Sequence, residues 1–386
     1  MKIVRVETRT LAAYWADLFG DMSKVPHHLL HPSANFSGSN PPRLGQSSTL
    51  VFIETDEGIT GVGESWGLPE PRVVASVIEH LLRPVLLDRD PLATEQLWEA
   101  MYRRLQNSYL RGTLLEAMSG IDMALWDIKG KKLGLPVFRL LGGPLRDRIE
   151  TYASPVPFMP PAEAAEKALE FTRRGFRTIK VKIGDGLKQD MERIKAVREA
   201  VGGDVGIVTD ANCGYKVPEA VQAGHRLAEY GVRWLEEPVA FEDKAGLAEV
   251  RRSVAIAVVA GENEHTALGV MDLLLRRAVD AVQVNLTRCG GITGALRIAH
   301  LAHPFSIPMS PHGVGSAVGI AATLHLAAAV PNFTIYEYNQ LLNPLRDELL
   351  KEPFVFKDSC LGVPDGPGLG IELDRKVLER FSLREQ

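Results

Sequence analysis

Between Thr178 and Glu337 the sequence repeats one unit, a short apolar run ending on a polar or charged residue. The runs are Thr178-Ile-Lys-Val-Lys182, Gly206-Ile-Val-Thr-Asp210, Val232-Arg-Trp-Leu-Glu236 and Ala257-Val-Val-Ala-Gly-Glu262. Three more follow: Ala281-Val-Gln-Val-Asn285, Ile307-Pro-Met-Ser-Pro-His312 and Phe333-Thr-Ile-Tyr-Glu337. Their last residues are spaced from 23 positions (Glu262 to Asn285) to 28 (Lys182 to Asp210). A strand, a helix and two loops need about 30 residues. Strands at that interval, each tipped by a chargeable or polar group, predict a parallel α/β barrel, in which chemistry sits at the strand C-termini. The helices between them are expected near 161–174, 186–201, 218–230, 241–252, 266–277, 291–303 and 317–330, and Glu150-Thr-Tyr-Ala-Ser154 reads as the first strand.

The chain before this array is organised differently. Residues 1–9, 48–55 and 59–65 alternate like strands, with a hairpin signal at Asp56-Glu-Gly58. Helical stretches follow near 73–87, 92–106 and 112–132, the last with Leu114, Met118, Ile121, Leu125 and Ile128 on one face. Strands first and helices after predict an α+β cap of residues 1–130. The barrel should then occupy 131–342, and the irregular tail 343–386 should return to the cap. Residues 15–45 have no period and carry His27, His28, Ser37 and Ser39. A long irregular segment of this kind is more often a lid or binding loop than a passive connection.

A net charge of −4 over 386 residues gives no pull toward nucleic acid or an anionic membrane. No apolar run approaches the ~20 residues that span a bilayer. Cys213, Cys289 and Cys360 have no pairing framework, which suits a reducing compartment. A cytoplasmic protein acting on a small molecule is expected.

Asp210, Glu236 and Glu262 end consecutive strands. Crowded like charges repel unless a divalent cation joins them, and an all-oxygen set favours magnesium or manganese. Asn212 has the parity to face the same way; Glu237 does not. Lys180 and Lys182 project to one face of their strand. A neighbouring cation and a metal would both ease deprotonation, which is how a lysine becomes a general base. His312 shares the register for acid or base work, and Glu337 could hold a substrate group. A metal beside a lysine suits removal of the proton α to a carboxylate. A base supplies about 10²–10⁴ in rate, so charge placed at the developing oxyanion must supply the rest.

Taken together, Lys180-Val-Lys182, Asp210-Ala-Asn212, Glu236-Glu-Pro238, Gly261-Glu-Asn263, Gly290-Gly-Ile-Thr-Gly294 and Pro311-His312 resemble the enolase superfamily, within it the mandelate racemase subgroup. The resemblance covers essentially the whole chain. It implies a modified TIM barrel, (β/α)7β, under an α+β capping domain completed by the C-terminal segment. It further implies magnesium on Asp210, Glu236 and Glu262, with Lys182 as base on one face and His312 as acid or base on the other. Glu337 would hydrogen-bond the bound carboxylate, while the lid and Trp66 would select the substrate. A homo-oligomer, dimer or octamer, is implied as well.

One position departs from that pattern. The family usually pairs the histidine with an aspartate on the preceding strand, and here Asn285 stands there. Asparagine can orient an imidazole but cannot stabilise an imidazolium by charge. That favours one-base chemistry: an acid-sugar dehydratase, a reading to which Asn343-Pro-Leu-Arg346 also points. A racemase or epimerase of a hydroxy-carboxylate is the alternative, and a silent metal- and ligand-binding homologue the third reading.

Overall fold

In a computed structural model, which describes residues 1–36, 38, 40–108 and 111–383, the three N-terminal strands form one antiparallel sheet. They are β1 (Ile3–Tyr14), β2 (Gly45–Thr55) and β3 (Thr60–Trp66). Ile3, Val6, Val51 and Ile53 are buried from one sheet face and join the apolar side of the helix Thr113–Leu133. Sheet and helix meet closely, because a Cβ on Gly63 would run into the carbonyl oxygen of Gly120.

β1 continues past residue 9 because its pairing with β2 extends to Tyr14 opposite Gly45. The irregular stretch therefore spans 15–44 and is built of short turns, Trp15–Phe19, Met22–Lys24, His27–Leu30 and Ala34–Phe36. Trp15, Val25 and Leu29 bury themselves with Leu341, which pins this lid to the barrel rim. Ser37 and Ser39 lie outside the described residues.

The barrel runs β4 (Arg148–Val156), β5 (Thr178–Lys182), β6 (Gly206–Asp210), β7 (Val232–Glu236), β8 (Ala257–Ala260) and β9 (Ala281–Val282) in parallel order. It closes where β10 (Tyr336–Asn339) pairs with β4. Helices Pro161–Arg173, Leu187–Val201, Val217–Glu229, Lys244–Ser253, Ala267–Leu275, Gly291–Ala302 and Ala317–Ala329 alternate with the strands.

Two expected strands are shorter than their sequence runs. The run 281–285 is a strand only at its first two residues, and 307–312 touches its neighbours through bridges at Met309 alone. Pro308 and Pro311 have no N–H to give a ladder. The register nonetheless persists: Ser310 N–H donates to Val282 O at 2.9 Å, and His312 N–H to Val284 O at 3.2 Å. Glu337, expected to end the last strand, is instead the second residue of β10, opposite Tyr152.

The tail first adds a hairpin, β11 (Phe356–Lys357) and β12 (Cys360–Gly362), to the start of β4. It then reaches the cap: Leu369 N–H donates to Asp127 at 2.8 Å, and Leu383 N–H donates to Thr10 O at 2.8 Å. Cap and barrel are further joined by Trp126 Nε1 donating to Thr293 Oγ1 at 2.9 Å, and by buried Glu64. The latter accepts from the Ser316 and Gly319 N–H groups at the start of helix Ala317–Ala329. Among the described residues no helix is long and apolar enough to cross a membrane.

Candidate active site

Lys182, Asp210 and Glu236 lie side by side in the ladder of β5, β6 and β7, and Glu262 follows the end of β8. Carboxylate oxygens of Asp210, Glu236 and Glu262 fall within 4.8 Å of one another. Two backbone features make this possible. Glu237, just past Glu236, takes a left-handed φ of 37°, which sends its side chain away to Asn263 at 2.9 Å. Gly261 has φ 138°, and a Cβ there would stand 2.8 Å from Gln283 N, so only glycine presents Glu262 at this point.

The two lysines share a face but not a depth. Lys182 Nζ, 12% exposed, contacts Asp210 at 2.5 Å and Asn212 Oδ1 at 2.7 Å. Lys180 is fully buried below it, 2.8 Å from Glu337, 2.9 Å from Glu236 and 3.1 Å from Asp210. Burial pulls the Lys180 pKa down, but Glu236, Glu337, the Tyr152 hydroxyl and Asp210 outweigh it and hold it well above the ordinary lysine value. Lys180 is thus placed to carry charge, which leaves the role of base to Lys182. Lys180 is a fixed charge that organises three carboxylates.

The carboxylates respond in opposite directions. Burial raises Glu236, and the adjacent Asp210 raises it further. Burial would raise Asp210 too, but Lys182 and Lys180 hold it well below the usual range. Glu337 is likewise brought down against its burial, chiefly by Lys180, to about 2. With all four ionised, Asp210, Glu236, Glu262 and Glu337 would set four negative charges against the two ammonium groups, an excess of two. Glu262 Oε2 is buried without a hydrogen bond. An oxygen-only donor set, an orphaned carboxylate oxygen and a missing double positive charge all fit one divalent cation.

His312 stands across the barrel from Lys182. Asn285 Nδ2 lies 2.9 Å from His312 Nδ1 and 3.0 Å from Val314 O, while Asn285 Oδ1 accepts from the Thr287 N–H and hydroxyl at 2.8 and 2.7 Å. With its oxygen so occupied, the amide can offer the imidazole only an N–H. Nδ1 is therefore an acceptor and the ring proton sits on Nε2, which faces Glu262 at 3.3 Å and Glu337 at 3.7 Å.

These groups open into a cavity of about 590 Å³, floored by Lys182, Asn212, Glu262, His312 and Glu337 and roofed by Trp66 and residues from the lid. The Trp66 and His312 ring centroids lie 6.3 Å apart. His27 and His28 do not line it. On the turn His27–Leu30 the inward position belongs to Leu29, so His27 is exposed beside His31 and His28 borders a separate cavity with Lys167 and Arg346. Sequence reasoning also overlooked Gln283, whose Nε2 donates to Glu236 at 2.8 Å, and Ser154, which donates to Glu337. Gln283 was within reach, since it shares the strand parity of Asn285.

Residues 37–142 match the mandelate racemase / muconate lactonizing enzyme N-terminal domain, and residues 163–377 the enolase C-terminal domain-like family. The chain is 39% identical to D-galactarolactone cycloisomerase of Agrobacterium fabrum over 88% of its own length and 92% of that protein. It is 34% identical to arabinonate dehydratase of Saccharolobus solfataricus, covering 86% and 90%. Its fold superposes with a TM-score of 0.86 on a racemase from Streptomyces coelicolor A3(2) with bound magnesium, at 28% identity over 99% and 100% of the two chains.

Proposed function

The chain belongs to the mandelate racemase / muconate lactonizing enzyme family of the enolase superfamily, and on that footing we propose that it dehydrates an acid sugar with the help of magnesium. The observation that carries this reading is a three-carboxylate cluster whose Glu262 reaches a cavity also lined by Lys182 and His312. Asp210, Glu236 and Glu262 would hold the cation, and manganese suits the same oxygens. A cation there supplies positive charge beside the substrate carboxylate, where the negative charge of the enolised acid collects.

Lys182, once neutral, takes the proton from the carbon α to the carboxylate. The electron pair passes into the carboxylate and returns to expel the β-hydroxyl. His312 gives its Nε2 proton to that leaving oxygen, leaving an imidazolate that the Asn285 N–H at Nδ1 stabilises until water reprotonates it. Water departs and an enol remains, which ketonises to a 2-keto-3-deoxy acid. The donor tautomer imposed by Asn285 suits this acid role and does not suit a second base, which weighs against racemisation. Glu337, kept ionised by Lys180, has no proton to give the substrate carboxylate as the resemblance implied, and can instead accept a hydrogen bond from a substrate hydroxyl.

The identity to a cycloisomerase favours a second reading of the same steps. Where the β-oxygen belongs to a ring, the expelled group stays tethered and the elimination becomes an isomerisation. A screen of acid sugars and their lactones with magnesium tests the reading. A 2-keto-3-deoxy product is expected, and silence across the panel would overturn it. We further expect a cytoplasmic homo-oligomer, dimer or octamer, in keeping with the family and with three unpaired cysteines.

A further inference from the structure

Among the described residues, each basic side chain on the cavity wall has an acidic neighbour except one. Lys182 faces Asp210, His312 faces Glu262, and Arg288 Nε lies 3.0 Å from Glu116. Arg43 is only 8% exposed and forms no ion pair among the described residues. Its Nε donates to Gly45 O at 3.1 Å, and one terminal nitrogen donates to Gln46 Oε1. Gln46 is held in turn by donating to Leu342 O at 2.9 Å. Both acceptors are neutral, and the Arg43 Nη1 nitrogen makes no hydrogen bond among the described residues. Glu70, also on this wall, is committed to Arg72, accepting its N–H at 3.1 Å.

A guanidinium taken out of water without a counter-charge is costly, and removing one partner of a buried pair usually destabilises a protein. Burial drags the Arg43 pKa to about 10, which still leaves it charged at neutral pH. The fold thus keeps a planar, oriented cation in the wall of the same cavity whose floor would bind the reacting carboxylate. Such a fork matches a second carboxylate in geometry and charge. Held by Gln46 and Gly45 beforehand, it would lose little freedom on binding.

We propose that Arg43 binds the carboxylate at the far end of a dicarboxylic acid sugar, so that the substrate of this site is a sugar diacid rather than a monoacid. This rests on the acid-sugar reading above and names the substrate class within it.

The test is calorimetric binding with magnesium, using the Lys182→Met protein so that no turnover intervenes. Ligands are a six-carbon sugar diacid, the monoacid of the same configuration, and the diacid with its far carboxylate converted to an amide. The diacid is expected to bind at least tenfold more tightly than the other two. Arg43→Gln should abolish that preference while changing monoacid affinity less than threefold, and Arg43→Lys should keep part of it. Equal affinity for all three ligands, or a uniform loss in Arg43→Gln, would overturn the proposal. The amide comparison needs no change at Arg43, so it decides the matter even if the variants fail to fold. Arg43-dependent preference for the diacid without turnover by the unaltered enzyme would overturn the dehydration reading instead and leave this one standing.

Discussion

Asn285 Nδ2 sits 2.9 Å from Nδ1 of His312 and fixes the imidazole proton on the side of the cavity. An aspartate at that position would accept a hydrogen bond from a protonated Nδ1 and leave Nε2 as a base. Asn285→Asp is therefore expected to lower dehydration at least tenfold. It should also introduce solvent deuterium at the α-carbon from the His312 face, read by NMR of recovered substrate. Unchanged product formation would mean that the tautomer does not matter to the reaction.

The two lysines should fail in different ways. Lys182→Met should cut kcat by about 10²–10⁴, the share of a general base, with magnesium affinity changed little. Lys180→Met leaves buried Glu236 and Glu337 without their shared cation. Breaking a buried pair costs about 3–5 kcal/mol, so loss of folding stability should dominate. Urea unfolding beside steady-state kinetics separates the two outcomes.

A bound divalent ion should stabilise the fold. At a concentration of one hundred times its dissociation constant the gain is about 2.7 kcal/mol. The melting temperature should rise with magnesium, fall with chelator, and lose this response in Glu262→Gln. A Glu262→Gln protein that still responds in full would place the ion elsewhere.

His325 gives a prediction about pH that does not involve the site. Its Nδ1 accepts from Phe138 N–H at 3.3 Å and its Nε2 donates to Leu369 O at 3.0 Å, an arrangement only the neutral ring can make. Burial lowers its pKa from 6.5 to about 4. The folded state thus resists the proton that the unfolded chain accepts. This stabilisation is complete above pH 6.5 and is lost as pH falls through about 4, and at ~1.36 kcal/mol per unit it amounts to about 3 kcal/mol. His325→Leu should remove that slope from the unfolding free energy between pH 7 and 4. Equal slopes in both proteins would contradict it.

The barrel and its cluster of three acids were legible because the strand period and the spacing of the carboxylates coincide, as at Asp210, Glu236 and Glu262. Depth was not legible. Parity put Lys180 and Lys182 on one face, but only packing made the first a buried fixed charge and left the second at the cavity. Glu64 was missed because it acts across the cap–barrel junction, on Ser316 and Gly319 far away in sequence, and Arg43 because its burial in an aperiodic segment has no sequence signature. His27 and His28 misled, since a polar lid residue reveals nothing about which way a single helical turn faces.

Proton and deuterium NMR of a sugar diacid, incubated with magnesium in D₂O, tests the central claim most directly. Enolisation by Lys182 predicts a 2-keto-3-deoxy product carrying deuterium at C3 with the unaltered enzyme, and none with Lys182→Met. Product formed equally by both proteins would contradict the account.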